Sequence, residues 1–127
     1  MTASMAQANH KVIAVLSDLM FTVKIQEAAR RAGFECAFVR SHQDAMAQAK
    51  QKPAVIILDL NDATVQPLDL IAELKGDSET RGIPLVGFVS HVQTELRQAA
   101  QEQGCDVVLA RSAFSQNLPS LLSRYGS

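Results

Sequence analysis

The sequence predicts an α/β domain with a doubly wound, five-stranded parallel sheet in the order 2-1-3-4-5. Two observations support this prediction. Five short apolar runs, typical of strands buried on both faces, alternate with segments of helical periodicity. The connections are short, and regular strand–helix alternation favours right-handed crossovers that cover the sheet on both sides. A length of 127 residues suits one domain, predicted at 11–127 after a disordered tail at 1–10.

The first half of the chain supplies three strands and two helices. The strands are predicted at 12–16, 35–39 and 54–58. The first helix is predicted over 19–31, with Gly33 as its C′ residue, and its apolar side is expected to carry Leu19, Val23, Ala29 and Ala32. Ser41 is expected to cap a second helix that runs to about Lys52, where Pro53 ends it.

The second half supplies two strands, predicted at 84–89 and 106–110, and three helices. Pro67 fits the first turn of the third helix, whose apolar contacts are Leu68, Ile71, Ala72 and Leu74. The fourth helix ends at Gly104 and has Val92, Leu96, Ala99 and Ala100 on one face. Ser115 is expected to cap the last, which places Pro119 near its first turn and repeats Leu118, Leu121, Leu122 and Tyr125 on one face.

Composition excludes several classes of function. The formal net charge is -1 and no basic block occurs, so nucleic-acid binding is not expected. Cys36 and Cys105 form no CxxC pair, and the three histidines do not cluster, which argues against a zinc site and favours reduced core thiols. No apolar run approaches the roughly 20 residues of a membrane span. Without a signal-peptide pattern, a cytoplasmic location is expected.

Polar residues directly follow four of the apolar runs, and Asp59 is the most informative of them. The carboxyl ends of parallel strands meet at one edge of the sheet, where open α/β folds bind ligands. An Asp that merely caps a turn is the alternative for Asp59 alone. The first, fourth and fifth strands add Ser17, Asp18, Ser90 and Arg111 at the same edge.

This set of side chains suits a phosphoryl group. Asp18 and Asp59 are candidates to hold Mg²⁺ together with a backbone carbonyl near Asn61. Arg111 is a candidate to neutralise phosphoryl oxygens, and Ser90 to donate a hydrogen bond to one of them.

With these residues in place, the chain resembles the receiver domain of two-component response regulators over about 11–125. Asp59 follows Asp18 by 41 positions, Ser90 follows Asp59 by 31, and Arg111 follows Ser90 by 21, close to the family's spacing. The resemblance implies that Asp59 accepts a phosphoryl group from a histidine kinase or another donor, with Mg²⁺ on Asp18, Asp59 and the Asn61 carbonyl. Ser90 would sense the phosphoryl group, and Arg111 stands where the family has Lys.

Several positions depart from the family pattern and predict an atypical, pseudo-receiver-like domain. Ser17 replaces one of two acids, which should weaken Mg²⁺ binding, and Arg111 is a planar fork instead of a point charge. Ser112 replaces the Pro that follows the Lys, which removes an expected cis peptide. The remaining departures are the late Pro67, His91 beside Ser90, and Val108 in place of the switch aromatic.

Three functions follow from these observations. The first is a phosphorelay receiver module, without other enzymatic activity because no catalytic base is visible. The second is a degenerate receiver that binds a protein partner or itself without phosphorylation, through the fourth and fifth helices and the fifth strand. Its candidate contacts, each also typical of a core position, are Val92, Leu96, Leu118 and Tyr125. The third, an anti-sigma antagonist-like module, would require a leading β-hairpin.

Arg111 has a further predicted use. It is expected to form an ion pair with Asp59 or Asp18 and so to take the place of a bound cation. A distance beyond about 6 Å from both carboxylates would exclude this pairing.

Overall fold

The computed structural model describes residues 10–90 and 93–126. The predicted tail up to residue 9, and the expectations placed on His91 and Val92, lie outside the described residues.

Five strands alternate with five helices along the described chain. The strands are β1 (Lys11–Val15), β2 (Glu35–Val39), β3 (Val55–Asp59), β4 (Leu85–Val89) and β5 (Val107–Ala110). The helices are α1 (Leu19–Arg31), α2 (His42–Ala49), α3 (Pro67–Gly76), α4 (Thr94–Gln103) and α5 (Arg111–Gly126), with a short 3₁₀ turn at Ala63–Val65.

The sheet order is β2-β1-β3-β4-β5 and every neighbouring pair is parallel, which confirms the predicted topology. In this register Asp59 on β3 lies beside Phe88 on β4. Because β1 pairs with β2 in parallel, the described chain does not open with a β-hairpin. The anti-sigma antagonist alternative is therefore not supported.

The core consists of two apolar clusters, one on each face of the sheet. Side chains alternate along each strand, so on β3 Val55 and Ile57 point towards α1 and α5, whereas Ile56 and Leu58 point towards α2, α3 and α4. No helix among the described residues is long and apolar enough to cross a membrane.

Local signals set most helix ends as expected. Ser41 Oγ accepts a hydrogen bond from Asp44 N and caps α2, and Pro67 opens α3. Gly33 and Gly104 end α1 and α4 with φ angles of 82° and 114°, in the left-handed region that glycine adopts without strain. The second helix ends at Ala49, three residues earlier than predicted, and Lys52 follows with a φ of 60°.

The predicted apolar side of α1 is wrong for its first two members. Leu19 and Val23 are 70% and 59% exposed, whereas Ile25 and Ala29 are buried and Phe21 is half-buried. At 100° per residue, Phe21, Ile25 and Ala29 share a side that turns Leu19 away from the sheet. Ala72 on α3 is likewise exposed, and Leu70 takes its expected place in the core.

The last helix also begins earlier than predicted. α5 starts at Arg111, so Ser115 is not its cap and Pro119 lies in its interior, well beyond the first turn. A Pro at position 112 would disfavour the helical conformation of Arg111, whereas Ser112 allows the helix to start directly after β5. Every peptide bond within the described residues is trans, as the loss of that Pro predicts.

Candidate functional site at the carboxyl edge of the sheet

Asp59 is the last residue of β3 and the most deeply buried carboxylate at this edge, with 5% of its surface exposed. Its Oδ1 accepts a hydrogen bond from Asn61 N at 3.0 Å. Burial raises the pKa of Asp59 above its ordinary value, although this N–H and the nearby Arg111 act in the opposite direction. Asp59 is therefore a carboxylate whose charge depends on a cationic neighbour.

Asp18 lies at the N-terminus of α1 and uses its two oxygens differently. Oδ1 accepts a hydrogen bond from Phe21 N at 3.2 Å and caps the helix. Oδ2 accepts a hydrogen bond from Arg111 Nη1 at 3.2 Å. The Phe21 N–H, together with Arg111, lowers the pKa of Asp18, so this carboxylate stays ionised.

Arg111 joins the two carboxylates. Its Nη1 lies 3.2 Å from Asp18 Oδ2, and its Nη2 lies 3.5 Å from Asp59 Oδ1. The predicted ion pair is thus present with both acids.

The guanidinium also lies on aromatic rings. Its Cζ atom is 4.8 Å from the centroid of the Phe21 ring and 5.3 Å from that of Phe88. Phe114 on α5 completes a stack, with centroids 4.6 Å from Phe88 and 6.1 Å from Phe21. We refer to Phe21, Phe88 and Phe114 as the aromatic stack. Sequence reasoning missed this role, although all three residues lie close in sequence to Asp18, Ser90 or Arg111.

Ser17 is hydrogen-bonded to Asp62, an acid outside the pair formed by Asp18 and Asp59. Its Oγ donates a hydrogen bond to Asp62 Oδ2 at 2.8 Å. Asp62 caps the 3₁₀ turn by accepting from Thr64 N. Although burial acts to raise it, the pKa of Asp62 is lowered overall by its bonds from Thr64 and Ser17. Sequence reasoning did not single out Asp62; an Asp two residues before a Thr in a loop was the available signal.

Asn61 connects the loop after β3 to the loop after β4 through its side chain. Its Oδ1 accepts a hydrogen bond from Ser90 N at 2.9 Å, and its Nδ2 donates to Gln93 Oε1. Among the described residues, no hydrogen bond joins Ser90 Oγ to Asp59. Asp18, Asp59 and Arg111 are therefore brought into contact, whereas Ser90 is held at the same edge by its backbone.

The observed arrangement does not fit a divalent cation. The guanidinium occupies the space between the two carboxylates that the predicted Mg²⁺ site requires. Asp18 Oδ1 is engaged by the helix cap, and no group of three or more His, Cys, Asp or Glu side chains in the described parts of the chain is placed to share a metal ion. Arg111 thus supplies the positive charge at this edge.

The surface predicted for partner binding is largely used by the core. Leu118 is 3% exposed, and Leu96 and Tyr125 are partly buried against the apolar clusters. Val108 is 4% exposed on β5. The exposed large apolar side chains of the described chain are instead Leu19, Met20 and Val23 on α1.

The sheet order, the flanking helices and the acidic carboxyl edge define a class: the fold is that of response-regulator receiver domains. No family model matches the sequence, and no curated protein matches it either.

Solved structures of receiver domains superpose over nearly the whole chain. The chemotaxis response regulator CheY4 of Vibrio cholerae has a TM-score of 0.77 and 22% identity, covering 92% of this chain and 98% of its own. A response regulator from Hahella chejuensis has a TM-score of 0.81 and 18% identity, covering 92% and 95%. The receiver domain of a Pseudomonas aeruginosa sensor histidine kinase, with magnesium coordinated in its active-site cleft, has a TM-score of 0.80 and 17% identity, covering 93% and 98%.

Proposed function

We propose that this chain is a receiver-type signalling module that acts through protein contacts and does not require metal-dependent phosphoryl transfer. The observation that carries this proposal is the position of Arg111. Its guanidinium neutralises Asp18 and Asp59 at 3.2 and 3.5 Å, where a phosphorylatable receiver would place its cation. The acid pair is thereby satisfied within the chain itself.

Electrostatics oppose a divalent cation while Arg111 stays in place. A doubly charged ion about 4 Å from the guanidinium would meet a repulsion of about 8 kcal/mol at an effective dielectric constant of about 20, which cancels the attraction of one of the two carboxylates at the same distance. Ser17 adds to this effect, because it removes a negative charge and its hydroxyl is engaged by Asp62. Mg²⁺ binding at millimolar concentrations is therefore not expected.

An exposed apolar surface on α1 supports a role in protein binding. Leu19, Met20 and Val23 place three large apolar side chains, each at least 59% exposed, beside the acidic edge. The α4–β5–α5 face predicted from the sequence offers less, since Leu96 and Tyr125 are partly buried there. Substitution of Met20 by Glu should weaken a contact made by these three side chains of α1 while changing the free energy of unfolding by less than about 0.5 kcal/mol.

Amide NMR spectra recorded with Mg²⁺ and then with beryllofluoride, a phosphoryl mimic, test the proposal. We expect the wild-type spectrum to stay unchanged, because Arg111 holds the cation position. The Arg111→Ala variant should shift on addition of Mg²⁺ at residues around Asp18 and Asp59, and a further Asp59→Asn substitution should suppress those shifts. Beryllofluoride-dependent shifts at Asp59 and Ser90 in the wild type would contradict the proposal.

The second candidate function is a phosphoacceptor, with Asp59 attacking a donor such as a histidine kinase in the presence of Mg²⁺. It is favoured by Asp59 itself, which lies at the end of its strand as predicted and is 5% exposed. Phosphoryl transfer would then require Arg111 to leave the acid pair first. An acid-labile phosphoryl label on the wild type that is absent from Asp59→Asn would establish this function; equal labelling of both proteins would exclude it.

A further inference from the structure

We propose that Phe21 and Phe88 are positioning residues that hold the Arg111 guanidinium over the acid pair. This inference rests on the proposed function, because it explains how one side chain takes the place of a cation at this edge. It gives a role to rings of the aromatic stack, which have no part in the phosphoryl or Mg²⁺ binding predicted from the sequence.

The two ion pairs alone do not fix the guanidinium. The Arg111 side chain is 34% exposed and that of Asp18 is 36% exposed, so water screens their attraction. An arginine side chain also has many rotamers, and holding one of them opposes pairing. A second set of contacts is needed on the side of the guanidinium that faces the protein.

The ring faces supply those contacts. Cζ of Arg111 lies 4.8 Å from the Phe21 centroid and 5.3 Å from the Phe88 centroid, both within the roughly 6 Å at which a cation and an aromatic face attract each other. A planar guanidinium stacks on such faces while its N–H groups still point to carboxylates, which an ammonium group does less well. This geometry gives a physical reason for an arginine at position 111.

The rings are packed against one another and into the core. Phe88 and Phe114 are fully buried, and the Phe21 ring stacks on Phe88 with centroids 4.9 Å apart. Phe88 is the register partner of Asp59, and its carbonyl accepts a hydrogen bond from Leu60 N at 3.0 Å. One of the two supporting rings therefore lies on the strand that pairs with the strand of Asp59, and the other packs on it from α1.

Exchange of the Arg111 Nε–H proton with water, measured by NMR without added metal, tests the inference directly. We expect Phe21→Leu to accelerate this exchange by about threefold, the factor that corresponds to one modest cation–π contact. Phe21→Tyr keeps the ring face and should show the wild-type exchange rate. Phe34→Leu is the matched control, because Phe34 is a buried ring of the same apolar cluster that meets the His10 ring at a tilted angle instead.

A second readout is Mg²⁺ affinity by titration calorimetry on the same variants and on Arg111→Ala. Phe21→Leu should bind Mg²⁺ more tightly than wild type and less tightly than Arg111→Ala, whereas Phe34→Leu should match the wild type.

The outcomes separate the two proposals. If Phe21→Leu and Phe34→Leu give the same Nε–H exchange rate, the positioning role is wrong, whatever Arg111→Ala does. If Phe21→Leu does not fold, Phe21→Tyr still decides, because an exchange rate well above wild type would overturn the role of the ring face. If exchange follows the ring but Arg111→Ala binds no Mg²⁺, the positioning role stands and the proposed exclusion of metal by Arg111 fails.

Discussion

Replacement of Arg111 by alanine should destabilise the protein by about 2 kcal/mol at pH 7. At 3.5 Å and an effective dielectric constant of about 20, one full charge pair amounts to about 5 kcal/mol before solvent screening. Screening removes most of the Asp18 pair, which is one-third exposed, and leaves at most about 1 kcal/mol of it. The Asp59 pair retains more of its attraction, because the Asp59 side chain is 7% exposed. In the variant, Asp59 can take up a proton once Arg111 is gone, which limits the stability that is lost.

The destabilisation should depend on pH in a defined direction. Burial already raises the folded-state pKa of Asp59 above the ordinary 3.8, so stability falls as pH rises from that value through the folded pKa. Without Arg111 the folded pKa rises further, and the fall continues to higher pH. The lowered pKa of Asp18 moves back towards its ordinary value, which removes stability that was present above that value. Both changes make the variant's deficit grow with pH.

Urea unfolding followed by far-ultraviolet circular dichroism measures this deficit, since the chain has no Trp for a fluorescence readout. Wild type, Arg111→Ala and the control Arg97→Ala, which removes an exposed arginine of α4, are compared at pH 3, 5 and 7. We expect a deficit of about 2 kcal/mol at pH 7, or about 8 °C in Tm, and a much smaller one at pH 3. A deficit of equal size at all three pH values would refute the electrostatic explanation and leave only lost packing on the rings.

Two further predictions concern the rest of the fold. Gly104→Ala should lower the free energy of unfolding in urea by about 1–3 kcal/mol, because φ is 114° and the added Cβ would lie 2.9 Å from Cγ of Lys75. Lys75 is held in place, since its Nζ donates to the Arg81 and Ile83 carbonyls and to Asp106. The control Gly82→Ala has open space at its Cβ and should stay within about 0.5 kcal/mol of wild type; equal costs for the two variants would contradict this prediction. Burial raises the pKa of the Cys36 thiol to about 12 and that of Cys105 to about 11. Native protein at pH 8 should therefore react with iodoacetamide at least about 100-fold more slowly than unfolded protein, because the thiolate is the reactive form. Labelling of native protein as fast as that of unfolded protein would contradict this prediction.

The strand order and the strand-end residues were predictable because they depend on short-range signals. Apolar runs identify the strands, and alternation with helices leaves few ways to connect them in parallel. Asp59 and Arg111 directly follow such runs and Asp18 follows one after a single residue, so their meeting at one edge follows from the topology.

What the sequence did not predict depends on tertiary contacts. The apolar side of α1 was misplaced because Leu19 and Val23 are as apolar as Phe21. The stacking of Phe21 on Phe88 and the burial of Ile25 show which side faces the sheet. The sequence places the start of α5 too late, because Ser115 looked like a cap, whereas Ser112 allows Arg111 to adopt the helical conformation that a following Pro would disfavour. The Ser17–Asp62 bond spans 45 positions, beyond the reach of any local pattern.

The guanidinium between Asp18 and Asp59 also changes what controls the state of this edge. A dissolved ion occupies a site to an extent set by its concentration, so the charge at the site follows the composition of the medium. A cation attached to the chain has an effective concentration fixed by the length of its tether and does not dilute. Under the proposed function, the charge balance of the acid pair is encoded in the sequence, and we expect changes in magnesium concentration to leave it unchanged.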